Sequence, residues 1–394
     1  MTSQFRPLST YKNLPAPSLP GLGAFDPTVA PKGSWVLADG TAARTGRSAE
    51  PLLNDRWSPV WRAPLGESSH PTAILVGGGL IVTQGPSGRR IWSGHGQALS
   101  QIPFRTRTAW LDAKGPRLLT DGPEGGLYSY RLPKSSVECS IALSLPSDHL
   151  TAHLLPGPDD LLCVLTRKRS LGGHDDAVVE LVRMTDWAHV RSGSLYGMEP
   201  VAGIIREADS FADAALANSG PVLATPDGIV WCDWQLGTLA EHHHALKPVV
   251  MSVDSASRVL LVGEDERLNL HFVLVPPGDA PLVDLPLPKA KGFDLQPPLI
   301  LADGAAYLLQ PGQLLSFDAA GAVRWHISCG SCPRGSLTSN GLLLLADAHL
   351  LAVDETGQAT LLWTAPAPLT TPPVLAHGHI FVATADELFM LRGA

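Results

Sequence analysis

Pro297-Pro298-Leu299-Ile300-Leu301-Ala302-Asp303-Gly304 opens the stretch that decides the fold, because the pattern it begins recurs. The pattern continues through Ala305-Ala-Tyr307-Leu-Leu309 and Gln313-Leu-Leu-Ser-Phe-Asp318-Ala-Ala-Gly321, and ends at Trp325. A second copy starts at Leu337-Thr-Ser-Asn340-Gly341, passes through His349-Leu-Leu-Ala-Val-Asp354-Glu-Thr-Gly357, and ends at Trp363. A third starts at Pro372-Pro373-Val-Leu-Ala-His377-Gly378 and stops at Leu391, before any Asp-x-x-Gly turn or Trp is reached. A repeat that breaks off part-way leaves an unfinished sheet.

Each copy reads as four short strands. Apolar runs broken by Asp-Gly, Asn-Gly or His-Gly are hairpin signals, since those pairs tolerate the positive φ of tight turns. The later Asp-x-x-Gly marks a second turn, in which the Asp carboxylate bonds the backbone ahead and Gly supplies the left-handed residue. A period of roughly 35–45 residues with four strands per unit is the propeller signature. Such a unit cannot cover both its faces alone, so neighbours stack and the ring closes.

The Asp-x-x-Gly-x(3–5)-Trp endings resemble the tryptophan-docking repeats of quinoprotein (PQQ-type) β-propellers. In that family the repeat Trp packs on the neighbouring blade, and the resemblance implies that docking role for Trp325 and Trp363, with Asp318, Gly321, Asp354 and Gly357 forming the turns. Good copies cover about the last quarter of the chain. The family holds both dehydrogenases and non-catalytic scaffolds, so the resemblance speaks to fold more than to function.

Trp57-Ser-Pro-Val-Trp61-Arg-Ala-Pro-Leu-Gly66 matches the ends of the repeats at Val323-Arg-Trp325 and Leu362-Trp363-Thr. With Trp61 as a docking Trp, this strand completes the blade left open near the C-terminus and removes the last sheet edge. The expected architecture is all-β, a single propeller of eight four-stranded blades, or seven if one degenerate unit is miscounted. The closing blade comes from 56–66 plus 369–394. Another blade starts at Pro71 and holds Gly77-Gly78-Gly79, read as a hairpin turn because no phosphate-loop Lys-Ser/Thr follows. Further units are expected at about 105–146, 148–195, 199–242 and 246–287.

A length of 394 residues suits one propeller, and 38 Gly, 35 Pro, 44% hydrophobic and 17% charged residues suit an all-β chain. The formal net charge of −8 argues against nucleic acid and against anionic membrane surfaces as partners. No apolar leader is evident after Met1, and the five cysteines do not make a disulfide framework, so a cytoplasmic setting is expected. Residues 1–55 form a Pro-rich arm, read either as disordered or as laid across the propeller or a partner.

His326-x-x-Cys329-Gly-Ser-Cys332 is the sharpest local feature. It reads as a reduced pair in a loop joining two blades, against a redox pair or three-quarters of a zinc site. A zinc site would need Cys232 or one of His242, His243 and His244 as its fourth ligand. Those three histidines alternate sides if on a strand and cannot all face one metal, and they read as a surface loop. Gly172–Asp176 reads as a protruding polar loop. With no catalytic set, the expected function is a non-enzymatic protein-interaction scaffold in a bacterial assembly, without cofactor or metal. It would bind partners through face loops and the arm. The competing reading is a quinoprotein-type enzyme or ligand binder using a funnel on the ring axis, for which the resemblance implies PQQ and calcium.

Overall fold

The computed structural model describes residues 5–7, 27–28, 34–35, 37, 44–66, 70–103, 108–112, 117–121, 127–141, 149–168, 177–185, 188–195, 213–225, 228–278, 283–287, 295–329 and 333–394. These residues form eight antiparallel blades. Blade 1 spans 73–102, blade 2 spans 109–141, blade 3 spans 149–195 and blade 4 spans 213–243. Blade 5 spans 247–286, blade 6 spans 299–328 and blade 7 spans 334–363. In blades 1 to 6 the first strand contacts the first strand of the next blade, blade 7 packs on blade 8 through Leu344, Ala352, Leu375 and Ile380, and Val374–Ala376 contacts Ala73–Gly77, which closes the ring. The eighth blade joins the three strands within 374–393 to Trp57–Pro64 from near the other end of the chain.

That closing pairing is antiparallel, from Trp57 opposite Gly393 to Pro64 opposite Glu387. A register shift between Pro59 and Trp61 leaves Val60 as the bulged residue, and its side chain is about half exposed. Two prolines are tolerated here because this is the outermost strand, where one row of backbone groups faces away from the ladder. In blade 3 a short strand, Phe5–Pro7, adds a fifth member beyond Ala188–Leu195.

Burial follows position in the blade. The strands Ala73–Gly77, Ala306–Gln310 and Gly228–Cys232 are buried along their whole length, because both faces of a blade are covered by neighbours. The outer strands alternate with solvent, as Val323–Ser328 and Val283–Pro286 do. Inner strands therefore read as continuous apolar runs and outer strands as mixed ones.

The core is divided into wedges between blades. One wedge joins Leu299, Tyr307 and Leu309 of blade 6 to Leu337, Leu343 and Leu345 of blade 7. Another joins Ile74, Ile81 and Trp92 of blade 1 to Val374, Phe381 and Leu388 of blade 8. Exposing such a wedge uncovers on the order of ten apolar side chains at about 1.5–3 kcal/mol each. That exceeds the roughly 5–15 kcal/mol by which a domain is stable. An open ring is not an option for this sequence.

Polar groups also cross the wedges. Arg89 of blade 1 is almost fully buried and donates from Nη1 to Thr120 Oγ1 at 2.7 Å and from Nη2 to Thr108 O at 2.7 Å. Burial lowers its pKa to about 10, with Asp121 pulling the other way, so the guanidinium stays charged at neutral pH.

Removing residues 1–66 deletes the outer strand of blade 8 and with it the cover on two wedges. The truncated chain is expected to aggregate or to melt far below the full chain in calorimetry and light scattering. A monomer melting at the full-length temperature would contradict the closure described here.

Candidate functional site: the bore, the docking turns and an outer groove

In the turn at Asp354, Oδ1 accepts the backbone N–H groups of Thr356 and Gln358, both at 2.9 Å, and Gly357 N–H bonds the Asp354 carbonyl at 3.0 Å. Gly357 has φ of 85°, the left-handed region where a side chain is disfavoured. Asp318 and Gly321 repeat the geometry. So do Ser93, Asp233, Asp254 and Asp265. In the last three turns the left-handed position is held by Leu236, Ser257 and Leu268, not by glycine, and no Asp-x-x-Gly motif marks them.

Trp325, on the outer strand of blade 6, donates its indole N–H to Glu355 O of blade 7 at 2.8 Å, and its ring lies over Gly357. Trp61, on the outer strand of blade 8, does the same across the closing interface. It donates to Gly94 O at 3.0 Å and covers Gly96, where an added Cβ would stand 2.8 Å from the ring. Gly321 is covered by Val283 of blade 5, a smaller apolar group in the same place. Trp363 has no such turn to meet, because between strands three and four of blade 8 the chain is interrupted by its own ends. Its ring packs on Phe389 instead, with centroids 5.1 Å apart. All three indoles lie at blade–blade contacts and are half-buried, less than the largely buried state expected of docking tryptophans, since they sit on outer strands.

The larger surprise is on the axis. Of the stretch read as an arm, the described residues 34–35, 37 and 44–52 lie in the bore, against the inner strands. Trp35 forms two backbone bonds with Val76 of blade 1, at 2.7 and 2.8 Å, and Leu37 bridges Trp110 of blade 2. Residues 44–50 meet the far side of the ring. Ser252 Oγ of blade 5 lies 2.8 Å from Arg44 O, and Ile300 N–H of blade 6 donates to Thr45 O at 3.1 Å. Leu337 of blade 7 bonds Gly46 O at 2.7 Å and Ser48 N–H at 2.8 Å. Ser48 Oγ donates to Leu375 O of blade 8 at 3.0 Å. Trp35, Leu37, Arg44, Thr45, Ser48, Glu50 and Leu52 are all buried.

Glu50 ends this path in a clamp. One carboxylate oxygen accepts His377 N–H and the other Gly378 N–H, each at 2.7 Å. These two residues form the hairpin loop between Val374–Ala376 and His379–Ala383, with φ of 53° and 68°. The His-Gly pair read as a turn thus also turns both amides toward one anion. Gly78-Gly79 is the matching two-residue hairpin in blade 1, with φ of 58° and 76°.

A groove of about 500 Å³ lies at the outer side of blades 4 and 5, lined by His242, His243, His244, Asp265, Arg267 and Asp284 among others. Glu241, His242 and His243 belong to the strand Thr238–His243 and are not in a surface loop, because they pair with Gly228–Val230. The alternation expected of a strand puts His242 and His244 on one side, with ring centroids 6.3 Å apart. Burial, then the charge of His242, lowers the His244 pKa from 6.5 to about 4. Its Nδ1 accepts Leu246 N–H at 3.1 Å, which suits the neutral ring. His271 sits between Asp284 at 2.9 Å and Asp265 at 3.3 Å. Partial burial pulls its pKa down, but the two carboxylates outweigh this and leave it raised.

Cys329 is half-buried, and burial, then Asp347, pushes its thiol up to about 11, opposite to what a redox pair needs. Cys332 and Gly172–Asp176 lie outside the described residues. The proposed fourth ligands, Cys232 and His242–His244, are in blade 4, two blades round the ring from Cys329. Among the described residues no group of three His, Cys, Asp or Glu side chains is placed to hold a metal ion.

The chain matches no family model and no curated protein. Solved structures share its fold at low identity. A quinohemoprotein alcohol dehydrogenase from Pseudomonas putida HK5 superposes with a TM-score of 0.67 at 11% identity, covering 91% of this chain and 80% of the other. BamB from Moraxella catarrhalis gives 0.57 at 14% identity, covering 85% and 97%. Sqt1 from Saccharomyces cerevisiae gives 0.58 at 11% identity, covering 87% and 98%. At these identities the likeness is one of fold: this chain is built as an eight-bladed β-propeller, the architecture it shares with these quinoprotein and non-quinoprotein structures.

Two measurements check the site. Trp325→Ala removes a half-buried indole and its bond to blade 7, and a loss of about 2–3 kcal/mol in denaturant unfolding is expected, below the 3–5 typical of a fully buried Trp. His244 binds a proton near pH 6.5 in the unfolded chain and only near pH 4 in the folded one. Its contribution to stability is therefore complete above pH 6.5 and is lost as pH falls toward 4. His244→Gln should flatten the fall in melting temperature across that window.

Proposed function

We propose that this protein is a non-enzymatic scaffold, a propeller subunit of a bacterial multiprotein assembly that binds other proteins through its face loops and the part of its arm outside the bore. The observation that carries this reading is the filled axis. A ligand-binding propeller of the quinoprotein type gathers its ligand in an axial funnel, and here buried residues between Trp35 and Leu52 use the polar groups at that end of the inner strands. The PQQ and calcium implied by the resemblance do not fit these residues. Glu50, the buried acidic group in this part of the bore, already accepts two backbone N–H groups.

The reading extends to a cytoplasmic, reducing setting, which the free thiols of Cys163, Cys232 and Cys329 support. Burial raises the pKa of all three thiols, so they are poor nucleophiles and poor metal ligands.

Tagged full-length protein purified from its native host is expected to bring down the same protein partners at constant stoichiometry. Titration with PQQ and calcium is expected to leave both absorbance and melting temperature unchanged. Recovery as a lone chain, together with saturable PQQ–calcium binding and a higher melting temperature, would overturn the proposal.

A further inference from the structure

We infer that the bore of the propeller is a peptide-binding site for an extended segment bearing a carboxylate, filled in this chain by residues 44–52 acting as a tethered ligand. The segment has the attributes of a ligand more than those of a structural element. It belongs to no sheet, and apart from Glu50 N–H to Ser48 Oγ at 3.1 Å its hydrogen bonds described above all go to other parts of the chain. Its shape is imposed by the walls of the bore.

Those walls recognise it as peptide-binding surfaces do. Backbone groups of Ile300, Leu337 and Ser339 bond the main chain of Thr45, Gly46, Ser48 and Glu50 at 2.7–3.1 Å, the sequence-tolerant part of recognition. Asn340 reads both backbone groups of a single residue, with Oδ1 accepting Leu52 N–H at 3.0 Å and Nδ2 donating to Leu52 O at 2.9 Å. Selectivity comes from the His377-Gly378 loop, whose two amides each take one oxygen of Glu50 at 2.7 Å. Charge-assisted bonds to a buried carboxylate are among the stronger ones available, and neutral or cationic side chains cannot make them.

The link to blade 8 is short and solvent-exposed, with Asn54 O and Arg56 O accepting from the Trp57 indole and Ala394 N–H at 3.0 Å. Leu53 is 81% exposed and Asn54, Asp55 and Arg56 are exposed, before Trp57 enters blade 8. A short tether holds a ligand at an effective concentration near the millimolar range, so occupancy in cis needs no high intrinsic affinity. Whether the disc is a scaffold or an enzyme does not enter this inference, which concerns only what the bore recognises.

The test begins with a protease site inserted between Leu53 and Asn54 of the full chain, cut in native buffer. The released N-terminal piece is expected to stay with the disc through gel filtration. A labelled peptide of residues 34–53 should exchange into the cut protein saturably, and the same peptide with Glu50→Gln should bind roughly tenfold more weakly or worse. Loss of the piece with no peptide binding by a disc that remains folded would overturn the inference, as would equal affinity of the two peptides. A second measurement covers the case in which the cut chain does not survive. In uncut Glu50→Gln protein, hydrogen exchange at His377 and Gly378 should quicken at least tenfold while 214–224 in blade 4 is unchanged, and unaltered protection at the loop would overturn the clamp. A dimer of intact chains that trade labelled segments would overturn occupancy in cis.

Discussion

A blade of this protein has two apolar faces and no means of covering either. Everything else depends on neighbours doing so. Leu308 and Phe317 of blade 6 meet blade 5, while Tyr307 and Leu309 of the same blade meet blade 7, because successive residues on a strand point to opposite faces. A stack of such sheets ends in an exposed face at each end unless it returns on itself. Pairing Trp57–Pro64 with Glu387–Gly393 performs that return and ties the two ends of the propeller together. It is also why the most distant parts of the sequence must find each other before the ring is stable.

The docking turns refine this arrangement at the rim. At Gly96, Gly321 and Gly357 the turn provides a left-handed glycine whose flat surface accepts a ring or a branched side chain from the preceding blade. Trp61, Trp325 and Val283 use it in three places, with two indoles and one isopropyl group. The indole adds a hydrogen bond to a turn carbonyl that valine cannot make. The geometry therefore survives in blades whose sequence has lost the Trp, which accounts for degenerate repeats packing as regularly as good ones.

An eight-membered ring leaves a bore that its own inner strands do not fill. Here the filler is supplied by the same chain, in a segment touching blades on opposite sides of the axis. This has two effects. It satisfies backbone groups on the bore side of the inner strands, which would be costly if buried unpaired. It also denies the axial end to a small-molecule ligand of comparable size, which shifts the accessible chemistry of the protein to its rims, its face loops and the groove between blades 4 and 5.

The sequence by itself determined the class and the closing strand, because each rests on local chemistry, while the choice of eight blades over seven was made by the tertiary structure. Asn340-Gly341 and His377-Gly378 encode tight turns, Asp318 and Asp354 cap the next ones, and buried strands between them read as apolar runs. It did not disclose the turns at Asp233, Asp254 and Asp265, where Leu236, Ser257 and Leu268 take the position usually left to glycine. Nor did it show that Glu241–His243 lie on a strand, since a polar outer strand looks like a loop. Above all it did not show where residues 34–52 go. That stretch has no period and no motif, and its described residues find partners in six blades, backbone groups in five of them and the Ser252 hydroxyl in blade 5. Those groups come together only once the ring has closed, so the site in the bore was decided by the tertiary structure alone.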